Sequence, residues 1–170
     1  DPSAVTGNDP AQLVCFAQPL GRRVTYLSDL EPIGYRHIPY LSTAWPFRVD
    51  QSVSGGLLRT SDQLWLKGIG MHSSSRLAYD LPRQYHSLQA ELAIDRLAGR
   101  EGSVVFRVYL QDAAGQWSKA FESDTVRGGQ APVSMRVDIR DAARFALIVD
   151  FADRTDQWDH ANWLNARLVR

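Results

Sequence analysis

The sequence predicts an all-β chain, an antiparallel sandwich or barrel. Three observations carry the prediction. Stretches of period-two alternation recur from Val24 to Val169, each the length of one strand. Turns built on glycine and aspartate separate them at near-regular spacing. The best helix candidate, Asp141 to Arg144, spans one turn only.

The composition bounds what such a chain can do. Of 170 residues, 44% are hydrophobic and 22% charged, enough for one domain with a real core. Lys+Arg and Asp+Glu each number 19, for a formal net charge of +0. Bulk charge therefore draws the chain neither to nucleic acid nor to an anionic membrane. No apolar run is long enough to cross a bilayer. The single cysteine, Cys15, excludes an internal disulfide. The sequence opens at Asp1 and shows no signal peptide, so a mature form or an excised piece is expected.

In chain order, residues 1–23 read as a linker, with Leu13 to Ala17 as an apolar run able to dock on the domain. Val24 to Leu30 reads as the first strand. Glu31 to Asp50 reads as irregular, because Pro32, Pro39 and Pro46 interrupt it and Tyr35, Tyr40, Trp45 and Phe47 are scattered through it. Gly55-Gly56 turns into Leu57-Leu58. Leu64 to Lys67 alternates, with Leu64 and Leu66 on one face and Trp65 and Lys67 on the other. Gly68 and Gly70 then mark a bend or a close approach to another chain segment. Leu77, Tyr79 and Leu81 share a face. Strands follow over His86 to Asp95, Ser103 to Gln111, Trp117 to Phe121, Val133 to Ile139, Phe145 to Phe151 and Trp163 to Val169.

The four histidines, His37, His72, His86 and His160, lack the spacing of a zinc site in sequence. Ser73-Ser74-Ser75 lacks the strand-to-helix elbow of a serine nucleophile. Asp153, Asp156 and Asp159 offer carboxylates for glycoside hydrolysis or for calcium, though not at EF-hand spacing. Trp45, His72 and the loop Asp156 to Asn162 form a more coherent set. Sugar recognition needs an apolar platform for the C–H face of a ring and a few directional groups for its hydroxyls. Each residue also has a structural reading: Trp163 as core, His72 and His160 as imidazoles bonding backbone, Trp45 as a cover over the core.

The chain resembles the NPCBM domain, also classed as carbohydrate-binding module family 51. The matching pieces are YLSDL at 26–30, the segment from Asp50 to Gly56, LWLKGIGMHSSSRLAYDL at 64–81, SVVFRVY at 103–109, AARFALIVDF at 142–151 and DHANWLNARLV at 159–169. The resemblance spans residues 24–170. It implies a galactose-binding-domain-like jelly-roll β-sandwich. It also implies a non-catalytic module for galactose-type sugars, secreted or displayed at the cell surface and appended to a larger polypeptide such as a glycoside hydrolase. A structural calcium is a further family feature. Carried over by position, His72, Asp159 and His160 fall on the family motifs and Trp45 lies where members often carry Gly-Trp. Trp45 and Trp158 are expected to stack on sugar, and His72, Asp159 and His160 to bond its hydroxyls. Thr43-Ala44 replace the usual glycine neighbourhood before Trp45, and Asn162 stands where aspartate is usual. The rival readings are a structural or protein-interaction sandwich that binds no sugar, and a hydrolase using the aspartate loop.

Overall fold

The computed structural model describes residues 24–40, 43–153 and 155–170; the expected linker and the docking run at 13–17 lie outside them. Fourteen strands follow the order β1 (Val24–Tyr26), β2 (Gly34–His37), β3 (Arg48–Val49), β4 (Leu58–Arg59), β5 (Leu64–Trp65), β6 (Gly68–His72), β7 (Ser75–Asp80), β8 (Ser87–Ile94), β9 (Ser103–Gln111), β10 (Trp117–Glu122), β11 (Val126–Arg127), β12 (Val133–Asp138), β13 (Arg144–Phe151) and β14 (His160–Val169). One sheet runs β12-β8-β14-β6-β3, with β1 also on β14. The other runs β10-β9-β13-β7-β2, with β11 also on β9. Every pairing is antiparallel.

Alternation sorts the side chains between core and rim. Ile69, Met71, Leu88, Leu92, Ala161 and Trp163 from the first sheet meet Leu77, Tyr79, Val104, Phe106, Phe145 and Leu147 from the second in one buried cluster. Trp163 stands edge-on to Phe106, centroids 5.0 Å apart at 90°, and so ties the two layers together. The chain is thus the antiparallel sandwich that the alternation predicts.

Two local expectations need correction, and the alternation of residues 64–67 is met. The first strand ends at Tyr26, and a 3-10 turn over Leu27–Asp29 replaces its second half. The proline-rich segment contains two short strands, β2 between Pro32 and Pro39 and β3 just after Pro46. Before the glycines, Leu64 and Leu66 face solvent while Trp65 is buried. Trp65 packs with Leu58, Ala93 and Leu164, because the β4–β5 ribbon covers the outer face of the first sheet.

The glycines sit within a strand, not at a bend. All five residues of β6 are buried. Ile69 and Met71 point to the core, so Gly68, Gly70 and His72 point outward. The Gln51–Val53 backbone lies directly against Gly70, and Trp163 O and Leu58 lie against Gly68. The close-approach reading of these glycines is the one that holds.

Candidate functional site

The site follows from register. β14 pairs with β6 so that His160 lies opposite His72 and Asn162 opposite Gly70. Directly opposed residues share a face. Both imidazoles therefore project from the outer face of the sheet, with ring centroids 5.7 Å apart. The Gln51–Val53 segment and the β4–β5 ribbon cover the rest of that face. The histidine end meets Trp45 instead, whose indole stacks on His72 at 4.9 Å and 5°. Trp45 also tilts against His160 at 5.6 Å.

Trp45 is half-buried in an irregular segment, yet its backbone is clamped at both ends. Its N–H donates to His37 Nδ1 at 3.1 Å, and its carbonyl accepts from the Tyr35 hydroxyl at 2.6 Å. The backbone donor fixes His37 with its proton on Nε2, which donates to Ser73 O at 3.1 Å. His72 donates to the same carbonyl from Nδ1 at 2.6 Å. In its neutral form His72 Nε2 therefore carries a lone pair and can accept from a hydroxyl. Burial lowers the His72 pKa, opposed by the Ser73 carbonyl and reinforced by the neighbouring His160. Burial also lowers the pKa of His160, whose Nδ1 has no partner among the described residues.

These rings border a cavity of about 500 Å3, lined by Tyr40, Thr43, Trp45, His72, Thr155, Asp156, Gln157, Trp158 and His160. That volume suits a small ligand. Trp158 holds the far rim, 45% exposed, with a left-handed backbone (φ 65°). A bulky residue rarely adopts that conformation without compensation. Gly102 packs against the Trp158 carbonyl, a fit that any β-carbon at 102 would obstruct.

Of the five residues expected to touch sugar, Trp45, His72, Trp158 and His160 line the cavity and Asp159 does not. Asp159 needs correction. Its side chain is buried, accepting from Ser73 Oγ at 2.6 Å and from the Ser103 N–H at 2.9 Å. It ties the loop to β9 from beneath. Asp156 and Gln157, both in the candidate loop, line the cavity too. Tyr40 and Thr155 line it without having been singled out; only Tyr40 carried a signal, as one of the aromatics in the proline-rich segment. Asn162 is buried and donates to Asp95 Oδ2 at 3.0 Å, and Trp163 is core.

The loop carboxylates also disperse. Asp153 pairs with Arg127 at 2.6 Å, Asp156 accepts from the Tyr40 N–H at 3.2 Å, and Asp159 turns inward. Each carboxylate thus has a protein partner of its own. Among the described residues no three His, Cys, Asp or Glu side chains are grouped to hold a metal ion.

Burial raises the Asp159 pKa to about 6, against the lowering effect of its two hydrogen bonds. The native state thus holds this proton more tightly than the unfolded chain does. Its stabilising contribution is present below the ordinary carboxylate value of 3.8 and is lost as pH rises through about 6. His72 and His160 act in the opposite sense, since their lowered values cost stability as pH falls. The readout is therefore a difference. Between pH 4 and pH 7, Asp159→Asn is expected to lose less stability than the parent as pH rises, by thermal unfolding. Parallel curves for the two proteins would refute the assignment.

Residues 23–169 match the family model described as NPCBM/NEW2 domain. The chain is 31% identical over 122 residues to alpha-1,3-galactosidase B of Akkermansia muciniphila, covering 69% of this chain and 15% of that protein. The chain spans 9% and 15% of the lengths of two curated relatives it matches. Among solved structures, CBM51-2 with the INT domains of Clostridium perfringens ZmpB superposes with TM-score 0.75 at 31% identity, covering 86% of this chain and 31% of that one. The same module in complex with GlcNAc gives TM-score 0.74 at 31% identity, with the same coverage. CBM51 of Clostridium perfringens GH95, in complex with methyl-galactose, gives TM-score 0.73 at 23% identity and covers 86% and 99% of the two chains, a likeness of fold.

Proposed function

Because the chain belongs to the NPCBM/NEW2 domain family, we propose that it is a non-catalytic carbohydrate-binding module whose sugar site is the cavity between Trp45 and Trp158. The carrying observation is the Trp45 indole, stacked on His72 and clamped through its backbone, beside a cavity of about 500 Å3. A pyranose has an apolar face for the indoles and equatorial or axial hydroxyls for the imidazoles, Asp156 and Gln157. Nothing in the dispersed aspartates supports a reaction on the bound sugar.

The module belongs to a larger secreted or surface polypeptide, with residues 1–23 as its tether. The relatives point to galactose-type sugars and N-acetylglucosamine as ligands: one is a galactosidase, and one module is solved with GlcNAc. Hydrogen bonds exchanged with water net only about 1 kcal/mol each, so single-site affinity is expected on the order of 0.1–1 mM. Avidity then comes from the parent chain. Calorimetry or tryptophan fluorescence with galactose, N-acetylglucosamine and a broad glycan panel tests this. A saturable response to a galactose-type sugar or N-acetylglucosamine is expected; silence across the panel would end the proposal.

One observation favours a second reading, a sandwich that binds no sugar. His72 and His160 are only 4% and 6% exposed, and His72 Nδ1 is bonded to protein. The same titration separates the two.

A further inference from the structure

The sugar cavity does not end at its own rim. Tyr40 and Asp156 also border a second hollow with Ile38, Pro39, Ser74 and Phe151. Ile38 and Ser74 in turn border a third, which lies over Arg36, Arg76, Ile148 and Asp150 on the outer face of the second sheet. The three form one track around the end of the sandwich. Its middle presents uncovered apolar surface: Ile38 is 58% exposed, Tyr40 66% and Phe151 48%. Large apolar side chains grouped in this way on a hollow are surface awaiting a partner.

The far end is cationic. β2 and β7 place Arg36 directly opposite Arg76, and both are exposed. Like charges in that register repel. Among the described residues neither arginine pairs with a carboxylate. The nearby acids are committed elsewhere: Asp150 accepts from Ser74 Oγ at 2.6 Å and pairs with Arg107, which also pairs with Glu122. The Arg36–Arg76 pair thus stands without a carboxylate partner of its own, in a hollow whose one acid, Asp150, is paired with Arg107, at the end of a track that begins at the sugar site.

We propose that this track is an extended subsite for an acidic oligosaccharide, with the sugar ring in the Trp45 cavity and a carboxylate or sulfate on a following residue held by Arg36 and Arg76. Guanidinium groups match planar and tetrahedral oxyanions with paired N–H donors. The anion also relieves the cross-strand repulsion. Asp156 at the cavity mouth disfavours an anion there and so sets the polarity of the bound chain. The inference rests on the sugar reading of the cavity.

The test measures lactose, sialylated lactose and sulfated lactose by calorimetry, at about 0.02 M and about 0.5 M salt. The parent domain and the double variant Arg36→Gln/Arg76→Gln are compared. An acidic form is expected to bind at least about fivefold more tightly than lactose at low salt. The advantage should vanish at high salt and in the double variant, while lactose binding is unchanged by the substitutions. Whichever acidic form gains identifies the anion. If lactose binds and neither acidic form gains, or the gain survives in the double variant, this inference falls and the cavity reading stands. If an acidic form binds through the arginines and neutral sugars do not bind, the arginines hold an anion, but the cavity reading falls and the extended subsite falls with it. If nothing binds, both fall.

Discussion

Gly70→Ala is expected to destabilise the domain by about 3 kcal/mol or more and to prevent its accumulation as folded protein. A β-carbon at Gly70 would press on Gln51 O and sit 2.5 Å from Val53 N and 2.7 Å from Ser52 C. All three are backbone atoms of a segment that has little freedom to withdraw. Asp50 N donates to Gly68 O at 2.8 Å, Ser52 N to Gly56 O at 2.9 Å, and the Arg48 guanidinium donates to Val53 O at 3.0 Å. On the opposite side Ile69 and Met71 are fully buried, so β6 cannot shift inward either. Denaturant unfolding checks the prediction. A variant within about 1 kcal/mol of the parent would show that the covering segment yields. Gly34→Ala serves as the control, because nothing lies within 4 Å of a β-carbon there.

Trp45→Ala is expected to weaken sugar binding by about 10- to 100-fold while leaving the fold intact. The indole supplies the cavity wall, and losing it removes about 1.5–3 kcal/mol of apolar and stacking contact. The backbone at 45 should hold, since His37 and Tyr35 bond its N–H and C=O without using the side chain. His72→Ala removes both the ring beneath Trp45 and the Nε2 acceptor, and is expected to abolish detectable binding. Ser73 O is not orphaned by that change, because His37 Nε2 still donates to it. Calorimetry with unfolding curves on the same samples separates lost affinity from lost structure. Binding by Trp45→Ala equal to the parent would remove the cavity from consideration.

The chain's alternation is enough to specify an antiparallel sandwich, since a residue two positions along a strand returns to the same face whatever surrounds it. Leu77 with Tyr79, Leu88 with Leu92, and Val104 with Phe106 and Val108 could be assigned to the core on that ground, and all are buried. The family resemblance likewise lay in local motifs, and residues 23–169 match the family. Trp45, His72, Trp158 and His160 were legible as candidates by residue type. Their convergence was not, because it depends on the His160–His72 register across about 90 intervening residues and on a clamp from His37 that no sequence period encodes. Asp159 follows the same logic: an aspartate in a polar loop reads as exposed, and only the Ser73 and Ser103 donors that enclose it turn it inward. Gly68 and Gly70 allowed two readings, and only the backbone packed against them decided for close approach. Period along the chain fixes which way a side chain points; what it meets there is set by segments far away in sequence, and only tertiary packing supplies them.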